Sequence, residues 1–379
     1  ADVVIRPGEL LTDATILVEE TAITAVGKEV EVPTGFEVID CQGKRVYPGL
    51  IDAWSEVDVP IEEDESGYWN RNVTPRLNAA DEAVALAEAS KLRSQGITTR
   101  LVAPEGGIVK GSSAVVLLDG EHSGRSLLVK HAWQHLQLTV PRGTRRASYP
   151  NSPMGATALL RQAFYDARWY REAWDAYRAN TQLPRPETNL DLQALSDAMM
   201  RDTFVIDAPN ERMAIRAESV ANEFALKMIL RGSGREYREL PSIIALNRPI
   251  LVPVAFPDAP NIKSPQARED VTLQDLMHWD LAPENPGRLV GAGLAICLTT
   301  DGLSDVGQFL KQVRKAVDRG LSKEAALAAM TTVPAQLLGI ENQLGCIEVG
   351  KLANFAVTDG DLFDSESKVL ECWVAGNRF

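Results

Sequence analysis

The sequence predicts an α/β protein: an eight-fold (β/α)8 barrel over residues 48–344, with a small β-sandwich built from both chain ends, 1–47 and 345–379. Three observations predict it. Short β-rich segments crowd both ends of the chain, and two such ends commonly meet in one discontinuous unit. Strand-like and helix-like segments alternate through the middle, which implies a parallel sheet. The alternating stretch also has the length that eight βα units need, typically about 250 residues. A doubly wound open sheet is the alternative, but no G-x-G-x-x-G follows the early strands, so a dinucleotide site has no support.

In order along the chain, 14–18 and 22–26 are β-rich and Glu19, Glu20 and Thr21 make a hairpin connection. Residues 81–95 read as a helix, capped by Asp81 and stopped by Gly96. Residues 97–102 follow as a strand. A long helix is expected over 155–179, where Phe164, Tyr165, Trp169, Tyr170, Trp174 and Tyr177 recur near helical spacing, a pattern of packing. Then come a strand at 203–206, a helix at 212–223, and strands at 225–230, 249–252 and 294–298. Val306, Phe309, Leu310, Val313 and Val317 mark one face of a helix that Gly320 ends, and Ser322 caps the next. Strands at 354–358 and 369–374 close the chain.

Composition narrows the function classes. A formal net charge of −13 argues against nucleic acid, whose phosphates need a basic surface, and the cluster Arg142, Arg145 and Arg146 is too small to offset it. No apolar run approaches the roughly 18–20 residues of a membrane span. Four scattered cysteines, Cys41, Cys297, Cys346 and Cys372, form neither a disulfide scaffold nor a thiolate zinc site. The chain opens on Ala1 without a signal-like segment, so the expectation is a soluble protein, cytoplasmic or exported with its signal removed.

Several motifs carry a resemblance. Residues 38–53, VIDCQGKRVYPGLIDA, read as an entry into a first barrel strand. Near the C-terminus GLSKEAAL (320–327) leads to VPAQLLG (333–339), LGCIEVGKLA (344–353) and AVTD (356–359). On these motifs the chain resembles the amidohydrolase superfamily over nearly its whole length. The glycine-rich loop APEGGIVKG (103–111) makes it most similar to the imidazolonepropionase-related branch.

The resemblance implies a hydrolase acting on a C–N bond of a small molecule or peptide derivative. Its cofactor would be zinc or another divalent metal, held by histidines and a carboxylate to activate water. Most of the ligands are absent here. The first histidine pair falls on Trp54 and Glu56, the next histidine on Asp207 or Pro209, and the next on Arg231; the strand-eight aspartate remains as Asp301. The four histidines, His122, His131, His135 and His278, do not restore the set; HAWQH (131–135) has zinc-like spacing but no third ligand, and reads as two partly exposed surface histidines.

The expectation is therefore a metal-free, catalytically degenerate relative. Asp301 is the retained catalytic position, and Trp54, Glu56, Asp207, Pro209 and Arg231 are vestigial metal-site positions. A guanidinium can replace a lost dication, so Arg231 is expected to fork onto Asp301, with Glu56 or Asp207 alongside. Two alternatives stand beside it. One is an active hydrolase using oxygen ligands from Glu56, Asp58, Asp207 and Asp301; the other is a pseudoenzyme that binds a small-molecule ligand or supports a partner. A homo-oligomer is expected from the resemblance, and no nucleic-acid or membrane partner.

Overall fold

The computed structural model describes residues 1–61, 67–82, 88–120, 126–140 and 148–379. His122, Arg142, Arg145 and Arg146 lie outside the described residues. So does the middle of the helix expected over 81–95, of which a 3-10 turn at Ala79–Asp81 and a helix at Ala89–Arg93 are described.

The architecture is α/β with mixed sheets. The strands that position the site are β1 (Leu50–Asp52), β2 (Ile97–Pro104), β3 (Val109–Ser112), β4 (Ala114–Leu117), β5 (Gln134–Gln137), β6 (Thr203–Asp207), β7 (Lys227–Arg231), β8 (Ile250–Pro253) and β9 (Ile296–Thr299). One six-stranded sheet runs β9-β8-β7-β6-β5-β3, parallel from β5 to β9 and antiparallel at β3. A second sheet places β1 parallel to β2, β2 antiparallel to β4, and β4 against Leu127–Val129. A third takes Asp2–Arg6, Glu9–Leu11 and Arg45–Pro48 from one end of the chain and Phe355–Thr358, Val369–Val374 and Asn377–Arg378 from the other. In this sheet Arg45–Pro48 is hydrogen-bonded antiparallel to Phe355–Thr358.

Alternate side chains of the parallel strands enter two different cores, because successive residues of a strand point to opposite faces. Phe204, Ile206, Met228, Leu230, Ile250 and Val252 pack against the helices. Val205, Ile229, Leu251 and Cys297 face the other way and share a cluster with Ile51 on β1, Ala53 and Trp54 just after it, and Leu101 and Ala103 on β2. A parallel sheet buried on both faces explains why these strands lack a polar side.

Local signals set the helices. Asn210 accepts from the backbone N–H groups of Arg212 and Met213, so the helix Glu211–Phe224 starts directly after β6. It ends at Ala225, whose left-handed backbone (φ +56°) excludes it from a strand; the strand expected from 225 begins at Lys227. Ser152 caps the long helix Pro153–Ala179. Phe164 and Tyr170 on it are buried, while Tyr165 and Trp169 are exposed, so its aromatic spacing is only partly a packing pattern. The segment holding His131 and His135 is not helical, so their four-residue spacing does not put them on one face.

Candidate functional site

Asp207 and Arg231 are the last residues of β6 and β7 and stand directly opposite one another in the parallel register. Trp54 and Glu56 follow the end of β1, and Asp301 lies two residues beyond β9. All five therefore collect at the carboxyl ends of parallel strands, where α/β folds place functional side chains.

Arg231 forks onto Asp301 in two-point contact, Nε to Oδ2 at 2.9 Å and Nη2 to Oδ1 at 2.9 Å. Its remaining nitrogen, Nη1, donates to Asp207 Oδ2 at 3.2 Å and Glu56 Oε1 at 3.5 Å. The guanidinium lies 4.2 Å from the centroid of the Trp54 ring, a cation–π arrangement. Trp54 itself is 2% exposed. Of the two positions open for the third site residue, Asp207 joins the cluster; Pro209 is exposed in the loop before Asn210 and takes no part.

Lys110 completes the cluster and was not anticipated. Its buried Nζ donates to Glu56 Oε1 at 2.8 Å and to Asp207 Oδ2 at 2.9 Å. A β-bulge brings it there: His135 pairs with Gly111 and Leu136 with Val109, so Lys110 is the extra residue of β3. Bulges re-aim a side chain, and Gly111 supplies the left-handed backbone (φ +105°) this one needs. The sequence signal is a single lysine between Val109 and Gly111 in an otherwise apolar and small-residue run.

Electrostatics hold the cluster together. Burial pushes the Asp207 carboxyl up, but Lys110 and Arg231 outweigh it and hold the group below the usual carboxylate range. Burial pushes Lys110 and Arg231 down, and their carboxylate partners lift both above their ordinary values. Three carboxylates thus meet two cations, a formal charge of −1.

His135 corrects the expectation of a surface histidine: it is fully buried on β5, 5.2 Å from the Trp54 ring, and neither ring nitrogen has a partner. Burial first, and then Lys110, lower its pKa to about 3, so it is neutral. His131 is exposed and hydrogen-bonded with Asn78 and Ser112. His278 sits away from the cluster against Tyr237.

A second buried network lies alongside. Asp52 accepts from Arg100 Nε at 3.0 Å, from Thr300 Oγ1 at 2.6 Å and from the Thr300 N–H at 3.2 Å. Burial raises the Asp52 carboxyl against the pull of Arg100 and Thr300. Between the networks an open cleft of about 420 Å³ is lined by Trp54, Ser55, Glu56, Arg100, Thr300 and Asp301, among others.

A divalent metal of the kind the resemblance implies does not fit these residues. Its oxygen donors would be Glu56, Asp207 and Asp301, and each already accepts from Arg231, two of them also from Lys110. Two fixed cations in the shell repel a third. Asp58 is exposed, away from the cluster. Among the described residues no three His, Cys, Asp or Glu side chains are grouped to hold a metal, and no helix among them is long and apolar enough to cross a membrane.

Residues 284–378 match the Amidohydrolase family. The chain is 24% identical to "Amidohydrolase tasK" of Hapsidospora irregularis, over 95% of this chain and 39% of that protein, so it spans about two fifths of that relative's length. It resembles the solved amidohydrolase of Thermotoga maritima MSB8 at a TM-score of 0.73 and 21% identity, over 96% of this chain and 94% of the other. A prolidase complexed with N-methylphosphonate-L-proline is similar at a TM-score of 0.56 and 16% identity, over 100% and 97%. The family match is confined to the C-terminal quarter of the chain, and the structural neighbours share its fold.

Proposed function

We propose that this chain is a metal-free member of the amidohydrolase superfamily that binds a small-molecule ligand or supports a partner, rather than hydrolysing a C–N bond through a metal-activated water. The observation that carries the reading is Arg231, which engages all three carboxylates of the strand-end cluster while its face lies on Trp54. The fork satisfies charges that would otherwise recruit a dication. The cleft beside it falls within the range of about 300–1,000 Å³ typical of small-ligand sites. The reading includes a barrel over 48–344, a β-sandwich from the two ends, and kinship with the imidazolonepropionase-related branch through the 103–111 loop.

Metal analysis of protein purified without chelator tests it. We expect well below one equivalent of any divalent ion and no thermal shift on adding zinc or manganese. A stoichiometric ion, together with chelator-sensitive hydrolysis of amide or Xaa-Pro substrates, overturns it. Arg231→Met isolates the structural role of the guanidinium. Stranding Asp301, while Asp207 keeps Lys110, should cost about 3 kcal/mol in urea unfolding.

A further inference from the structure

Cys346 and Lys351 lie outside the strand-end cluster, in the turn where the C-terminal part of the chain reaches the N-terminal strands. Ile347 N–H donates to Ile5, Gly350 N–H donates to Ile23, and Ile23 N–H donates back to Lys351. The turn is therefore fixed on both sides, and Arg6 anchors Glu348 at 2.6 Å. Within it, Lys351 Nζ is 2.7 Å from Cys346 Sγ and 3.1 Å from Glu348 Oε2.

The sulfur contact is unusual for its length. Hydrogen bonds from N–H to oxygen span about 2.7–3.2 Å, and sulfur is a larger atom whose contacts should lie further out. The separation is too short for two non-bonded atoms of this kind and too long for a direct sulfur–nitrogen bond. It is the span that one bridging oxygen gives. Cys346 is half-buried, so a small oxidant can reach it, whereas Cys297 and Cys372 are enclosed.

We infer that Cys346 and Lys351 form a reversible, peroxide-driven Sγ–O–Nζ cross-link. One peroxide oxidises the thiol to a sulfenic acid and releases water. A second oxidises the lysine amine to a hydroxylamine and releases water. The two hydroxyl groups then condense, losing a third water and leaving one oxygen between sulfur and nitrogen. Sulfur and nitrogen each give up two electrons, and the two peroxides accept all four. Glu348 is a positioning residue, holding the amine against the sulfur.

Full-length protein is treated with hydrogen peroxide and mapped by mass spectrometry without reduction. The expected result is a gain of about 14 Da, one oxygen in and two hydrogens out, on the segment joining Cys346 to Lys351. Trypsin should then fail to cut after Lys351, and dithiothreitol should restore both the thiol and the cleavage. Cys346→Ser and Lys351→Arg should each abolish the gain, and half-buried Cys41 is the internal control. A Cys346 that gains about 16 or 32 Da beside a cleavable Lys351 overturns the inference. So does a loss of about 2 Da, which marks a direct S–N bond, and so does an unchanged segment. The wild-type map decides between these outcomes even if a variant misfolds.

Discussion

Arg231 and Lys110 do related work in the cluster and differ in how far the sequence discloses them. Arg231 directly ends a strand, so counting from β7 places it opposite Asp207 and within reach of Asp301. Lys110 is aimed by a bulge, a feature of pairing between segments about two dozen residues apart, and residue type alone does not reveal it. His135 is a third case: a histidine between Gln134 and Leu136, whose complete burial with two unpartnered nitrogens only the packing shows. Its pKa of about 3 in the folded state lies below the value of about 6.5 in an unfolded chain. The unfolded chain therefore takes up a proton first, and His135 lowers stability as pH falls from about 6.5 towards 3. His135→Leu should remove that dependence. Comparing urea midpoints at pH 7 and pH 5, the variant should gain about 2 kcal/mol on the wild type over that interval. Equal pH dependence in the two proteins would count against a neutral buried imidazole.

At the scale of elements, the decisive piece is the β3–β5 pairing. β3 runs antiparallel at the edge of an otherwise parallel sheet, and its bulge lets one lysine reach the end of β6. Gly111 is what permits it: a Cβ there would meet the Leu77 carbonyl, and its φ of +105° disfavours any L side chain. Gly111→Ala should cost more than about 1 kcal/mol and pull Lys110 off Asp207. The local effect is readable as faster amide exchange along β3 and β5 than elsewhere; unchanged exchange there would show the bulge to be unimportant. Element types and order were legible from period and caps, as with Asn210 before Glu211–Phe224. Boundaries were less so, as at Ala225, where a left-handed cap displaced the start of a strand.

Across the whole molecule, two sheets are joined at one seam by buried charge. Asp52 on β1, Arg100 on β2 and Thr300 after β9 form one hydrogen-bonded set, with Arg100 Nη2 also donating to Thr300 Oγ1 at 3.0 Å. Breaking such a set by removing one partner typically costs about 3–5 kcal/mol, because the other charge stays buried. Asp52→Asn should therefore lower the urea midpoint strongly, and adding Arg100→Met should recover part of the loss. Purely additive losses would mean that the two residues act independently.

By itself the sequence determined the alternation of strands and helices, the caps that start several of the helices, and the small number of histidines. These are local or countable properties, set by period, caps and residue type. Only the tertiary structure decided how the cluster closes: Arg231 reaching Glu56 and Asp207 together, a buried Lys110 between the same two carboxylates, and a neutral His135 beside Trp54. Charge pairing in the cluster depends on contacts of 2.8–3.5 Å between segments up to 175 residues apart in number, as between Glu56 and Arg231. Distances of that kind are fixed by strand register and bulges, and neither is written in any single segment.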